Sequence, residues 1–126
     1  EDVVNEVFLE LKESIDLAKK NEIDKIIIDP GIGFGKNVYH NLTLIKNLDV
    51  FKSLGHPLLV GTSRKSFIGH ITADNDFERL SGTIASNLLA FQNGANILRV
   101  HDIGNIKKAV QVLEAIEQPE EYLEIA

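Results

Sequence analysis

Three short segments hold most of the residues in this sequence that can do chemistry: DPGIGFGK at 29–36, GTSRKS at 61–66 and RVHD at 99–102. They bring Asp29 together with five basic or potentially basic groups, Lys36, Arg64, Lys65, Arg99 and His101. In a chain of formal net charge -6 such a concentration of cations would focus an anionic ligand.

The glycine-rich segment departs from the familiar phosphate loops. A Walker loop needs Gly five positions before its Gly-Lys-Ser/Thr, but Pro30 stands there and Asn37 follows Lys36. A dinucleotide fingerprint needs GxGxxG running into a helix, whereas Gly31, Gly33 and Gly35 alternate and Lys36 occupies the third glycine's place. What remains is a loop whose backbone can approach a flat ligand closely, with Asp29 at its mouth and Phe34 as its one bulky side chain among the glycines. A plain turn or flexible surface loop would use the same residues. The Asp29 carboxylate can accept two parallel N–H bonds from the edge of an aminopyrimidinone ring, and Lys65 can donate to a ring oxygen or nitrogen beside it.

In RVHD, Arg99 and His101 are two apart and share one face of a strand, while Leu98 and Val100 share the other. Arginine's planar fork suits a phosphate or stacks on an aromatic ring, although it can equally pair with a core carboxylate. Ser66 precedes a short turn whose hydroxyl and free N–H groups could hold a carboxylate. The bland alternative for Ser63, Arg64, Lys65 and Ser66 is a solvated basic loop.

The elements that must position these segments follow from periodicity. Val4, Val7, Phe8, Leu11, Ile15 and Ala18 recur at helical spacing over 3–20, with Asp2 as a cap. A buried strand at about 25–29 leads into the glycine loop. Leu42, Ile45 and Leu48 predict a helix closed by Gly55, and PLLVG at 57–61 a second strand. Phe77, Leu80, Ile84, Leu88 and Phe91 predict a helix over 77–92 stopped at Gly94, and NILRV at 96–100 a third strand. Ile106, Ala109, Val110, Leu113 and Ile116 predict a last helix ending near Pro119, followed by a frayed acidic tail.

Alternating helices and strands with short connections imply an α/β fold with parallel βα repeats. A (β/α)8 barrel takes about 250 residues, so the expectation is one partial domain over 1–126, the late half of a TIM barrel with three strands and four helices. In such folds ligands sit beyond the carboxyl ends of the strands, where all three segments fall.

Composition is that of an ordinary globular domain, 44% hydrophobic and 25% charged, and no apolar run approaches the roughly 20 residues of a membrane span. A cytoplasmic location is the expectation. The acidic balance argues against a nucleic-acid binder, and the lack of cysteine excludes disulfides and thiolate metal sites. Methionine is also absent, which leads to the expectation that the chain is processed or is a piece of a longer protein.

DPGIGFGK, GTSRKSFIG and RVHD, with RLSGTIA between the last two, resemble in order and spacing the carboxyl-terminal half of the dihydropteroate synthase family. The resemblance implies a (β/α)8 barrel that joins 6-hydroxymethyl-7,8-dihydropterin pyrophosphate to p-aminobenzoate in folate synthesis, the reaction that sulfonamides block. It implies that Asp29 and Lys65 bind the pterin, that Arg99 stacks on it, and that Arg99 and His101 bind the pyrophosphate. Gly33, Phe34, Ser63, Arg64 and Ser66 would shape the substrate sites, with Ser66 at the p-aminobenzoate carboxylate. It further implies a magnesium ion carried by the pyrophosphate, with no protein ligand in this chain, and a homodimer through the late helices. The alternatives are a pterin-binding methyltransferase domain on a similar barrel, and a half barrel without catalytic activity.

Overall fold

The computed structural model describes residues 2–75 and 78–125. Helix α1 spans Val3–Lys20 and is capped by Asp2, whose carboxylate accepts from the Asn5 N–H at 3.0 Å. Its apolar stripe faces inward as the spacing requires: Val7 and Ile15 are buried, and Val4, Phe8 and Leu11 pack against the core. Phe8 stacks on Phe51 with ring centroids 6.5 Å apart.

The predicted strand at 25–29 narrows to one parallel bridge between Ile28 and Leu58. Strand β1 (Leu59–Val60) pairs in parallel with β2 (Ile97–Leu98), in the register Leu59 to Ile97 and Val60 to Leu98. The expectation of three strands is therefore corrected to a two-stranded parallel sheet with a bridge beside it. The pairing order along the ladder is Ile28, β1, β2, with the middle lane bonded on both sides.

Among the described residues five α-helices replace the four expected. Where a short turn was expected after Ser66, the chain forms helix α3 (Ser66–Thr72). The second helix divides into α2 (Val38–Lys46) and a 3₁₀ stretch over Leu48–Leu54, closed as expected by Gly55 in the left-handed region. Its buried face is Asn41, Leu44 and Ile45, while Leu42 is 42% exposed. The stripe predicted from Leu42, Ile45 and Leu48 overlooked Asn41 because a polar residue carries no weight in an apolar pattern.

Helix α4 begins at Leu80 and runs to Gln92; Phe77, expected at its start, lies outside the described residues. The most deeply buried line of α4 is Thr83, Asn87 and Ala90, with the predicted Leu80, Ile84, Leu88 and Phe91 half-buried beside it. Thr83 and Ser86 hydrogen-bond the segment after β1, which accounts for polar residues on the inner face. Helix α5 (Ile103–Glu117) buries Ile106, packs against α4, and leaves Ile116 69% exposed. A 3₁₀ turn over Pro119–Tyr122 follows, where a frayed tail was expected.

Side chains alternate across the short ladder as a pleat dictates. Ile28, Leu58, Val60 and Leu98 point into the core shared with the helices, whereas Ile27 and Arg99 are exposed. The functional segments leave the carboxyl ends of these three lanes.

Candidate functional site

Asp29 closes the first lane and turns the chain. Its Oδ1 accepts from the Gly31 N–H at 2.8 Å, an Asx turn that begins the glycine loop. Gly31, Gly33 and Gly35 all have positive φ, at 75°, 86° and 61°, which explains glycine at alternate positions. The loop is held from two sides. Asn41, 3% exposed, accepts from the Gly33 N–H at 2.8 Å, and the Lys36 ammonium donates to the carbonyls of Gly31 and Phe34 at 3.0 Å each. Lys36 thus braces the loop from within rather than joining the cations that face a ligand.

Phe34 is 63% exposed, and the Lys65 Nζ stands 4.4 Å from its ring centroid. The Lys65 chain also runs against Gly33, where a β-carbon would meet Cδ at 2.9 Å. Partial burial, and then the nearby Arg99, hold the Lys65 ammonium below its usual pKa, with Asp29 opposing them. Three charged groups from three lanes therefore sense one another.

Arg99 leaves β2 on the exposed face. Its Nη1 lies 3.9 Å from Asp29 Oδ2, a loose ion pair that spans the middle lane. Gly61 makes that span possible, since a β-carbon there would come within 2.8 Å of Nη2. His101 lies one pleat further along. Its Nδ1 is 2.9 Å from the buried Ser63 Oγ, which also accepts from the His101 N–H at 3.1 Å. Gly61, Ser63, Lys65, Arg99, Val100 and His101 line a cavity of about 140 Å³.

Asp29, Gly33, Phe34, Ser63, Lys65, Arg99 and His101 are thus linked by contacts at one end of the ladder. Arg64 takes another direction, with its guanidinium on Asp102 at 2.9 and 3.3 Å. That bond, and the positive charge behind it, hold the Asp102 carboxyl below the ordinary carboxylate range. Ser66 is the exposed first residue of α3, next to Lys65 in sequence.

Residues 1–101 match the family described as pterin binding enzyme. The chain belongs to that family. The pterin binding enzymes it resembles include the dihydropteroate synthase of Bacillus subtilis, 38% identical over 117 residues covering 91% of this chain and 41% of that protein. Among solved structures, Xanthomonas albilineans dihydropteroate synthase in complex with 7,8-dihydropteroate superposes with a TM-score of 0.91 at 42% identity, covering 93% of this chain and 46% of that one. The Thermus thermophilus dihydropteroate synthase in complex with 6HMPPP gives 0.88 at 40% identity, covering 92% and 48%. The chain therefore spans less than half the length of these relatives.

Residues that the motifs left without a role are Gly61, Asn41 and Asp102. Gly61 and Asp102 stand inside GTSRKS and RVHD, and the signal for Asp102 was charge: a carboxylate among cations. Asn41 had a weaker signal, an amide in the middle of an apolar run. Among the described residues no helix is long and apolar enough to cross a membrane, and no three His, Asp or Glu side chains are grouped to hold a metal ion.

Proposed function

We propose that this chain supplies the late half of a (β/α)8 barrel that condenses 6-hydroxymethyl-7,8-dihydropterin pyrophosphate with p-aminobenzoate to give dihydropteroate. The observation that carries the reading is the meeting of Asp29, Lys65 and Arg99, one from each lane, beside a cavity that reaches His101. Family membership and the ligands named for the two similar structures support it.

In this reading the Asp29 carboxylate takes the amino and ring N–H edge of the pterin. Oδ2 lies towards Arg99 while Oδ1 is held by the Gly31 N–H, which fixes the plane of the carboxylate. Lys65 donates to the ring, and its partial desolvation strengthens that bond. The flat guanidinium of Arg99, seated over Gly61, offers a stacking face to the pterin and N–H groups to the pyrophosphate. His101, fixed through Nδ1 by Ser63, adds a donor beside Arg99. The exocyclic carbon–oxygen bond breaks and its electrons leave with pyrophosphate. The arylamine nitrogen then bonds to that carbon and releases a proton to solvent. No protein nucleophile is needed; the cations stabilise charge as it builds on the leaving group.

In this reading Gly33, Phe34 and Ser66 are assigned to p-aminobenzoate, with Ser66 taking its carboxylate, and Arg64 serves that side through the turn it makes before Lys65. The charged groups beside Asp29 are the cations Lys65 and Arg99, so this proposal gives magnesium no ligand there. Magnesium enters this proposal only as a companion of the substrate's pyrophosphate. Pairing of two copies through the outer helices is supported by the apolar hollow between α2, α3 and α4, where Leu42, Ile71 and Leu89 are exposed.

The test is a calorimetric titration of the intact protein with the dihydropterin pyrophosphate, followed by pyrophosphate release on adding p-aminobenzoate. Saturable binding abolished by Asp29→Asn, and turnover abolished by Arg99→Ala, is the expected result. Turnover that survives Arg99→Ala with pyrophosphate affinity intact would remove the role given to that residue. Methyl transfer from methyltetrahydrofolate to a corrinoid would replace the reading altogether.

A further inference from the structure

Asp102 immediately precedes α5, in the position where an aspartate ordinarily accepts from the first backbone N–H groups of the helix. It makes no such bond. Its carboxylate instead receives the Arg64 fork, Nη2 to Oδ1 at 2.9 Å and Nε to Oδ2 at 3.3 Å.

Arg64 has a φ of 55°, left-handed backbone that a residue with a β-carbon adopts only when its surroundings enforce it. Its N–H donates to the buried Thr83 Oγ1 at 3.0 Å, and its carbonyl accepts from Arg79 Nη1 at 3.0 Å. The side chain completes the hold through Asp102. This one residue sets the direction in which the chain leaves Ser63 and therefore where Lys65 and Ser66 stand. Ser63 with His101, and Arg64 with Asp102, form two consecutive cross-links between the segments after β1 and β2. The first secures His101. The second secures the turn that leads to Lys65 and Ser66.

We infer that Asp102 is a positioning residue for the p-aminobenzoate side of the site, acting through Arg64; the inference rests on the function proposed above. A role in fold stability alone would be met by capping α5. Using the carboxylate on Arg64 leaves that helix end without its side-chain cap, and local rules of this kind are broken chiefly where a site demands it.

The test compares steady-state kinetics of the intact enzyme and its Asp102→Asn variant, which keeps the shape but removes the charge. The KM for p-aminobenzoate should rise about tenfold or more, the scale on which small misplacements act, while that for dihydropterin pyrophosphate stays within about twofold. Asp102→Glu should recover part of the loss. Arg64→Lys keeps the backbone bonds to Thr83 and Arg79 and should reproduce the effect, and the double variant should be no worse than either single one. If Asp102→Asn does not fold, Asp102→Glu decides the matter, read on the same two KM values. Unchanged KM values, or equal increases for both substrates, would overturn the inference while leaving the proposed function standing. A wild-type enzyme that does not turn over these substrates would instead remove the proposed function, and the inference with it.

Discussion

Arg99 lies across the bare backbone of Gly61, so close that a β-carbon on Gly61 would stand 2.8 Å from Nη2. Gly61 continues the register in which Val60 faces Leu98, and it is the gap through which Arg99 approaches Asp29. Its φ is not in the left-handed region, so alanine is acceptable to the backbone itself. The atoms that would have to move are the far end of a flexible side chain. Gly61→Ala is therefore expected to change stability by less than about 1 kcal/mol. Affinity for dihydropterin pyrophosphate should nevertheless fall about tenfold, or ~1.4 kcal/mol. Denaturant unfolding beside calorimetry separates the two; a large stability loss with unchanged affinity would refute the seating role.

Gly33 and Gly35 supply a matched pair in the glycine loop. Both have positive φ, 86° and 61°, so alanine at either carries a backbone cost of ~1–2 kcal/mol. Only Gly33 abuts Lys65, at 2.9 Å to Cδ, whereas nothing lies within 4 Å of a β-carbon on Gly35. Both variants should lose similar stability, but Gly33→Ala should lose much more pterin affinity. Equal affinities for the two would mean that the Lys65 contact does not matter.

The segments that carry chemistry were legible because their residue types are unusual in context: an aspartate and glycines after isoleucines, an Arg and a His alternating along a strand. The helices α1 and α5 were legible for the ordinary reason of periodicity. Helix α3 was not, because SFIGHIT has a glycine in its middle and only seven residues in which to show a period. The strand around Ile28 was read from a run of isoleucines, a pattern that reports burial and β-branching but not pairing. Only Ile28 itself bridges a neighbour. Nor did the motifs say that Lys36 turns inward or that Arg64 pairs with Asp102. Both depend on which partner lies within reach in three dimensions.

Asn41 is the buried support of the glycine loop, and its removal should be felt there first. Replacing it by Ala leaves the Gly33 N–H without its 2.8 Å acceptor and opens a space in the core face of α2. The expected loss is about 1–3 kcal/mol. Amide hydrogen exchange at Gly33 should accelerate more than at Leu44 or Ile45 on the same helix. Uniform acceleration across α2 would mean that Asn41 stabilises the helix and not the loop.

Lys65 makes a prediction with a sign that pH can read. Its folded-state pKa is lowered, by burial first and Arg99 second, from an ordinary value of 10.5. Between the folded pKa and 10.5 the unfolded chain binds more protons at this site than the folded one, so stability contributed here rises with pH. Below that window the charged lysine opposes folding. Lys65→Met removes the titration, and wild-type stability should therefore gain on the variant as pH is raised from neutral towards 10.5. Asp29→Asn removes the group that opposes the shift, so it should lower the Lys65 pKa further and widen the window. Urea unfolding of the three proteins across this range checks both statements. A difference between wild type and Lys65→Met that stays flat with pH would show that the ammonium is not desolvated, and with it would go the argument that the site strengthens Lys65 as a donor to the pterin.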